Sequence, residues 1–458
     1  MKSSRSEIHH KTHAVPTLRF EDQRLTSFSG LVVFQQLFEH LGLKERLRRC
    51  FKHLDVSPIF GHANIVLLLV VHLLLGYREL RHFRYYEDDP LVRRLLGLKR
   101  LPDVATVSRQ LAAMDSKSVG HLQQLQQTLV LDRLRVLALR RITIDFDGSV
   151  IGTGRFAEGT AIGFNRKKKG QRSYYPLFCT VAQTGQVLAV LHRAGNVHDS
   201  KGAQAFILNC IEQIKKALPG VTIEVRMDSA FFSDAIVSAL DEAQIDYTIS
   251  VPFERFTQLK EKIENRHRWN RLDNQHDFFE SSWKPGSWTV RHRFVFVRQL
   301  AKVQYKQAVQ LDLFIPFEYD YTFKVLLTNK KLTAAKVVAF HNGRGSQEGI
   351  FAELKSQNAL GYVPTRTWRG NQVYLLSAVL AHNLSRELQM ITRAPSRTTQ
   401  QKRPALWDFE QLNTLRRRVI QRAGRLIRPQ GRLTLSMSAN QAVQNELLHY
   451  LDEIEKAA

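Results

Sequence analysis

Cysteine is scarce in this chain. Its 458 residues include only three, Cys50, Cys179 and Cys210, and no two stand at CxxC spacing. That excludes a disulfide framework and a cysteine zinc site. Cys179 and Cys210 sit in apolar contexts and are expected to be buried and inert, which fits a reducing cytoplasm. Long apolar runs are missing too. Residues 65–75 are strongly apolar, but the run contains His72 and is too short to span a bilayer. A buried helix is expected there, and no membrane partner. The opening MKSSRSEIHHKTH lacks the apolar core of a signal peptide. No repeat or low-complexity tract stands out. Acidic residues are in deficit: 42 Asp and Glu face 67 Lys and Arg, a net charge of +25. That balance argues for a polyanionic partner, with nucleic acid ahead of a membrane surface. The length allows a sizeable core and about two to four domains.

What is present is most informative at residues 341–355, HNGRGSQEGIFAELK. His341, Arg344, Glu348 and Lys355 recur at helical spacings. On one continuous helix they would share an arc roughly 60° wide, at about 100° per residue. Ile350, Phe351 and Leu354 fall in a neighbouring apolar arc, so such a helix can pack and keep its polar edge available. A carboxylate bracketed by two cations suits metal and phosphate together, provided partner carboxylates exist elsewhere. Two predicted strands supply them. Residues 141–149, RITIDFDGS, alternate so that Thr143, Asp145 and Asp147 share one face. Residues 221–229, VTIEVRMDS, alternate likewise and end on Asp228. Two strand carboxylates and one helix carboxylate can cage two Mg²⁺ ions, with Mn²⁺ as a substitute. Such a pair stabilises the attacking and leaving oxygens of an in-line phosphoryl displacement.

Asp147-Gly148-Ser149, Arg226-Met227-Asp228-Ser229-Ala230-Phe231 and the Arg344/Glu348/Lys355 segment together resemble the three motifs of DDE-class insertion-sequence transposases. More narrowly, they resemble the branch with a Tyr-Arg-Glu-Lys signature, although His341 stands where that branch has Tyr. The likeness extends over roughly residues 20–435. It takes in Tyr175-Pro176-Leu177, Ala194 to Asp199, and Asn371 to Ala381-His382-Asn383-Leu384. The resemblance implies Asp147, Asp228 and Glu348 as catalytic metal ligands. It also implies Arg344 and Lys355 as phosphate contacts. Asp145 is the reserve ligand on the same strand face. Glu353 is the rival to Glu348, but it turns about 140° away and is expected to face solvent.

Residues 1–138 are expected to be an N-terminal all-α, DNA-binding domain, with helices near 31–41, 44–51, 63–76, 79–86, 91–96, 104–114 and 119–130. The turn at Leu101-Pro102-Asp103 opens a helix that displays Thr106, Ser108 and Arg109 toward a groove or a phosphate, or serves only as structure. Residues 139–392 are expected to be an α/β catalytic domain. Three strands, a helix, a strand, a helix and a strand give the order of a ribonuclease H-like core. The gap between Asp228 and Glu348 is too long for one helix and one strand, so 254–320 is read as a β-rich insertion. Residues 393–458 form a basic C-terminal region, expected to be a helical tail. From Arg386 to Arg432 twelve Lys or Arg face three Asp or Glu.

Arg166, Lys167, Lys168 and Lys169, and Arg416, Arg417 and Arg418, are further candidate contacts to the DNA backbone. His341 is a candidate DNA contact with a structural role as the alternative. Trp269, Trp283 and Trp288 either stack on an unpaired base or pack the insertion. The resulting expectation is a DNA transposase of a bacterial insertion sequence, cleaving and transferring strands at terminal inverted repeats. It would act as a homodimer on double-stranded DNA in the cytoplasm, associated with the nucleoid. The alternatives are a DNA-binding repressor or a domesticated nuclease of the same fold.

Overall fold

The computed structural model describes residues 16, 18–21, 23–54, 60–163, 165, 168–197, 201–300, 321–398 and 400–457. It is a mixed α/β molecule. Helices lead: α1 (Leu31–His40), α2 (Leu43–Cys50), α3 (His62–Leu75), α4 (Pro90–Leu96), α5 (Val104–Ala112) and α6 (Ser116–Leu137). Asp89, Asp103 and Asp115 cap α4, α5 and α6 with their carboxylates, which satisfies orphaned first-turn N–H groups. The apolar run is α3, buried along almost its whole length, with His72 bonded to the Tyr86 hydroxyl at 2.7 Å. No described helix is long and apolar enough to cross a membrane.

One nine-stranded mixed sheet follows. Its strands are β1 (Arg141–Gly148), β2 (Leu177–Val181), β3 (Val187–Leu191), β4 (Thr222–Met227), β5 (Asp246–Val251), β6 (His276–Trp283), β7 (His292–Leu300) and β8 (Tyr321–Thr328). The edge pair Asn270–Arg271 completes it. From that edge the order runs β6, β7, β8, β5, β4, β1, β2, β3. β1 is parallel to β4 and β4 to β5, while β2, β3, β6, β7 and β8 join antiparallel. Helices α7 (Ala203–Ala217) and α8 (Asp234–Glu242) pack with the end of α6 on one face. There Ile142, Ile144 and Phe146 are fully buried. The strands of 254–300 therefore hydrogen-bond into the central sheet through β8. Helix α9 (Thr257–Glu264) lies in the same stretch.

Helices α10 (Ala334–Asn342), α11 (Ser346–Gln357) and α12 (Trp368–Thr392) come next. An apolar cluster continues from α1 and α3 through α11 and α12 to the C-terminal residues Leu412, Ile420 and Tyr450. The tail departs from the expected basic helix. Its first helical turns stop at Ile420, and before the final helix Gly424–Ile427 and Thr434–Met437 are strands in a small sheet with Leu25–Thr26. Arg425 therefore lies on a strand and Arg428 just beyond it. Gly424 is needed there because a Cβ would lie 2.2 Å from the Ser29 hydroxyl. Helix α13 (Gln441–Lys456) closes the chain against α1 and α12.

Candidate active site

The register of β1 and β4 builds the site. Thr143 lies beside Glu224, Asp145 beside Arg226 and Phe146 beside Met227. Residues level with one another on parallel strands share a face, so Asp147 and Asp228 follow as neighbours where the strands end. The inner pair has opposite charges. Arg226, fully buried, donates from Nε and Nη2 to the two Asp145 oxygens at 2.6 and 2.8 Å. The outer pair has like charges. Burial, then the adjacent Asp228, pushes the Asp147 carboxyl up to about 7, against the Arg344 cation. Arg344 Nη1 donates to Asp147 Oδ2 at 3.1 Å, and the Gly148 N–H donates to Oδ1 at 2.7 Å. Asp228 accepts from the Ala230 N–H at 2.9 Å, starting a short turn.

The third motif is not one helix. Residues 343–345 form a tighter 3₁₀ turn between α10 and α11. At about 120° per residue, that turn breaks the single arc expected from the spacing. His341 consequently points inward and is 2 % exposed. Its Nε2 meets the Ser250 hydroxyl at 2.9 Å, and its Nδ1 meets the Thr248 hydroxyl at 3.0 Å. Burial, then Lys324 and Arg344, holds its pKa well below the usual range. The expected DNA contact at His341 is thus corrected: this ring bonds α10 to β5. Arg344 sits on the turn and pairs across to Asp147 rather than along the helix to Glu348.

Glu348 is exposed in the first turn of α11, where the helix dipole favours a carboxylate. Its neighbour Gln347 is buried and donates to the Asp145 carbonyl at 3.1 Å, seating that turn against β1. Among the described residues no three His, Cys, Asp or Glu side chains form a group able to hold a metal. The structure thus joins Asp147, Asp228 and Arg344, with Glu348 outside that group. Asp145 is enclosed by Arg226 and is not available as the reserve ligand. Glu353 is also corrected. It is 5 % exposed, pairs with Arg386 and accepts from the Leu412 N–H at 2.9 Å, because the C-terminal segment covers that side of α11.

The family described as Transposase DDE domain group 1 matches residues 9–458. The chain belongs to that DDE transposase family. No curated protein matches it. Among solved structures it is similar to the piggyBac transposase synaptic complex with hairpin DNA, at 12 % identity. That match covers 78 % of this chain and 74 % of the other, with a TM-score of 0.42. It is also similar to the Mos1 transposase paired-end complex with the left transposon end, at 10 % identity. That match covers 43 % of this chain and 60 % of the other, with a TM-score of 0.17. The Mos1 mariner paired-end complex with Mn matches at 11 % identity over 48 % and 72 % of the two chains, with a TM-score of 0.17.

In this DDE-family chain the basic candidates divide by burial. Lys355 is exposed on α11, and Lys168 and Lys169 are exposed at a turn. Arg166 and Lys167 lie outside the described residues, as do His198 and Asp199. Arg417 is exposed. Arg418 is engaged by Glu410 at 3.1 Å and Glu446 at 2.8 Å. Arg416 is corrected: it is 4 % exposed and donates to the Leu74 and Leu73 carbonyls at 2.7 and 2.6 Å, and to that of Gln357. It ties the tail to α3. Trp283 and Trp288 are buried, and Trp269 packs edge-on to Phe279 beneath Arg298.

Two features had no role assigned from sequence. Arg226 also donates from Nη1 to the Phe340 carbonyl at 3.0 Å and the Lys402 carbonyl at 2.9 Å. It thus joins β1, α10 and the 400–403 strap. The sequence signal was an arginine at a strand position level with Asp145. The strap itself left no local signal. Its Lys402 carbonyl lies against Gly343, where a Cβ would come within 1.9 Å.

Proposed function

We propose that the chain is a DNA transposase of a bacterial insertion sequence, built on a ribonuclease H-like core. It would cut a strand at the terminal inverted repeats, and the freed 3′-hydroxyl would attack a phosphodiester in line, forming a new P–O bond as the opposite 3′-oxygen leaves. The observation that carries this is the like-charged pair Asp147–Asp228 at adjoining strand ends, in a chain of the DDE family. The strand order β3-β2-β1-β4-β5 supports the core assignment.

The residues present suit a divalent cation, Mg²⁺ or Mn²⁺. The Asp147 carboxyl is raised by burial and by Asp228, so a cation between the two would relieve both effects. Asp147 and Asp228 would hold it; Glu348, which stands outside that pair, would have to move in with α11 to serve as the third donor. Bound there, the metal supplies Lewis acidity and a hydroxide source. The protein's own groups do the rest. Arg344 neutralises Asp147 until a DNA phosphate competes for its guanidinium, a planar fork matched to phosphate oxygens. Lys355, Lys168, Lys169 and Arg417 add backbone contacts that position DNA without reading its sequence. Gln347 and Arg226 fix α11 and α10 against β1. The DNA partner is double-stranded and the active form a homodimer, since two ends must be joined. The cytoplasm, at the nucleoid, is the place where that partner is met.

The test is cleavage of a plasmid carrying the DNA that flanks this gene, with Mg²⁺ or Mn²⁺, by wild type, Asp228→Ala and Glu348→Ala. Metal-dependent nicking at the element boundary is expected from wild type only, with DNA binding retained by all three. Binding without cleavage by wild type would instead indicate a repressor.

A further inference from the structure

The tryptophans of 254–300 are committed to packing, so none of them offers a base a platform. Phe156 does. Its ring is 72 % exposed, yet the loop that carries it is closely bonded. The Thr153 N–H donates to the Arg172 carbonyl at 2.9 Å and the Arg155 N–H to the Thr153 hydroxyl at 3.0 Å. The Glu158 N–H donates to the Arg366 carbonyl at 2.8 Å, and the Thr160 hydroxyl to the Ala157 carbonyl at 2.6 Å. Gly159 closes the loop at φ +73°, and a Cβ there would strike the Trp368 ring at 2.1 Å. A single exposed apolar side chain is ordinary; what sets Phe156 apart is a bonded loop that holds its ring beside a cavity flanked by arginines. This loop is fixed with the ring outside.

One side of that ring is already occupied. The Arg172 guanidinium lies 4.9 Å from its centroid, and Arg172 is itself pinned by Thr160, with Nε 3.0 Å from the hydroxyl. Phe156 also lines a cavity of about 730 Å³ between α5 and the segment 364–367. Ser108 and Ala112 form one wall, Pro364 to Thr367 another, and the exposed Arg155 and Arg366 stand beside the ring. Among the described residues no carboxylate lines the cavity. An aromatic platform with cations alongside matches a flat, π-faced group bearing phosphates, and a base can enter only when it is unpaired.

We propose that Phe156 and this cavity form a slot for an unpaired nucleobase of bound DNA, with Arg155 and Arg366 on its flanking phosphates. The slot rests on the proposed DNA transposase function and adds to it a site that distinguishes frayed or overhanging ends from intact duplex.

The test is equilibrium binding of the full chain to fluorescent DNA: a blunt duplex, the same duplex with a short single-stranded overhang, and a single strand. Phe156→Ala is compared with Phe156→Tyr and wild type, with thermal unfolding as the folding control. The stacking contribution of a base predicts that Phe156→Ala weakens overhang and single-strand binding about tenfold. Blunt-duplex affinity should stay unchanged and Phe156→Tyr should behave as wild type. Equal weakening on all three DNAs, or no change on any, would overturn the slot. Unchanged DNA binding with loss of dimer in sedimentation would assign the ring to a second copy of the chain, and would overturn it too. Wild type that binds blunt duplex leaves the parent reading standing whatever Phe156 does. Wild type that binds none of the DNAs removes both.

Discussion

At the scale of single residues, the site depends on which charges are compensated. Asp145 and Arg226 neutralise each other in the interior, whereas Asp147 and Asp228 do not. Removing one partner of a buried pair leaves the other stranded, at about 3–5 kcal/mol. Arg226→Met is therefore expected to destabilise the fold by that order, measured by denaturant unfolding, and Asp145→Asn to do so by a comparable amount. If Asp145→Asn abolished cleavage with stability unchanged, Asp145 would be a ligand after all. His341 is a second case. Substituting Ala removes hydrogen bonds to Ser250 and Thr248 and should cost about 1–3 kcal/mol. DNA affinity in a binding titration should not move, because the ring faces the interior.

At the scale of elements, the turn at 343–345 sets where α11 stands. Gly343 touches the strap, while Gly345 has open space around it. Gly343→Ala should push the Lys402 carbonyl away, lower the melting temperature and reduce cleavage by at least tenfold, an order typical of displaced catalytic groups. Gly345→Ala should do neither. The strap also presents Arg403 to Glu224, which is buried and bonded by Lys330 at 2.6 Å and Arg403 at 2.9 Å. Burial alone would raise the Glu224 carboxyl, but Arg403 and Lys330 outweigh it and hold it down to about 2. A depressed carboxyl contributes stability above its unfolded value, near 4.5, and loses it as pH falls toward 2. Unfolding free energy should thus decline between those values, by about 3 kcal/mol from this group. Glu224→Gln should flatten that decline in urea titrations at stepped pH.

Much of this level was legible in the sequence. Alternation marks β1 and β4, and the apolar runs mark α1 to α5 to within a few residues, while α6 continues seven residues past its expected end at 130. Residues 172–181 form two strands, Arg172–Tyr174 and β2, because Pro176 has no N–H for the ladder and the Tyr175 N–H donates to the Arg193 carbonyl. What was not legible depends on distant chain. Glu353 faces outward on a bare helix, but residues 410–412 cover it. Arg416 occupies a basic run, yet the open carbonyls at the end of α3 capture it. Gly343 and Gly345 are weak helix formers and mark the 3₁₀ turn in the sequence, whereas the strap packed on Gly343 leaves no local sign.

At the scale of the whole molecule, the surplus positive charge and the shared core act together. The N-terminal helices, α11, α12 and the tail pack as one apolar cluster, so DNA held by one part is held relative to the others. Affinity carried by phosphate contacts falls linearly in log salt, with about one unit of slope per contact. Lys168→Ala with Lys169→Ala should reduce that slope by up to about two. Arg416→Gln should leave the slope unaltered and lower stability instead. A slope lost with Arg416 would return that residue to the DNA surface.

The central claim is that Asp147 and Asp228 together hold a divalent cation. Mn²⁺ binding followed by electron paramagnetic resonance, for wild type, Asp147→Asn and Asp228→Asn, tests it most directly. Saturable binding by wild type, weakened at least tenfold in each variant while Glu261→Gln, at an exposed position of α9, binds as wild type, is the predicted result. Equal binding by all four proteins, or none by wild type at millimolar Mn²⁺ with and without DNA, would contradict it.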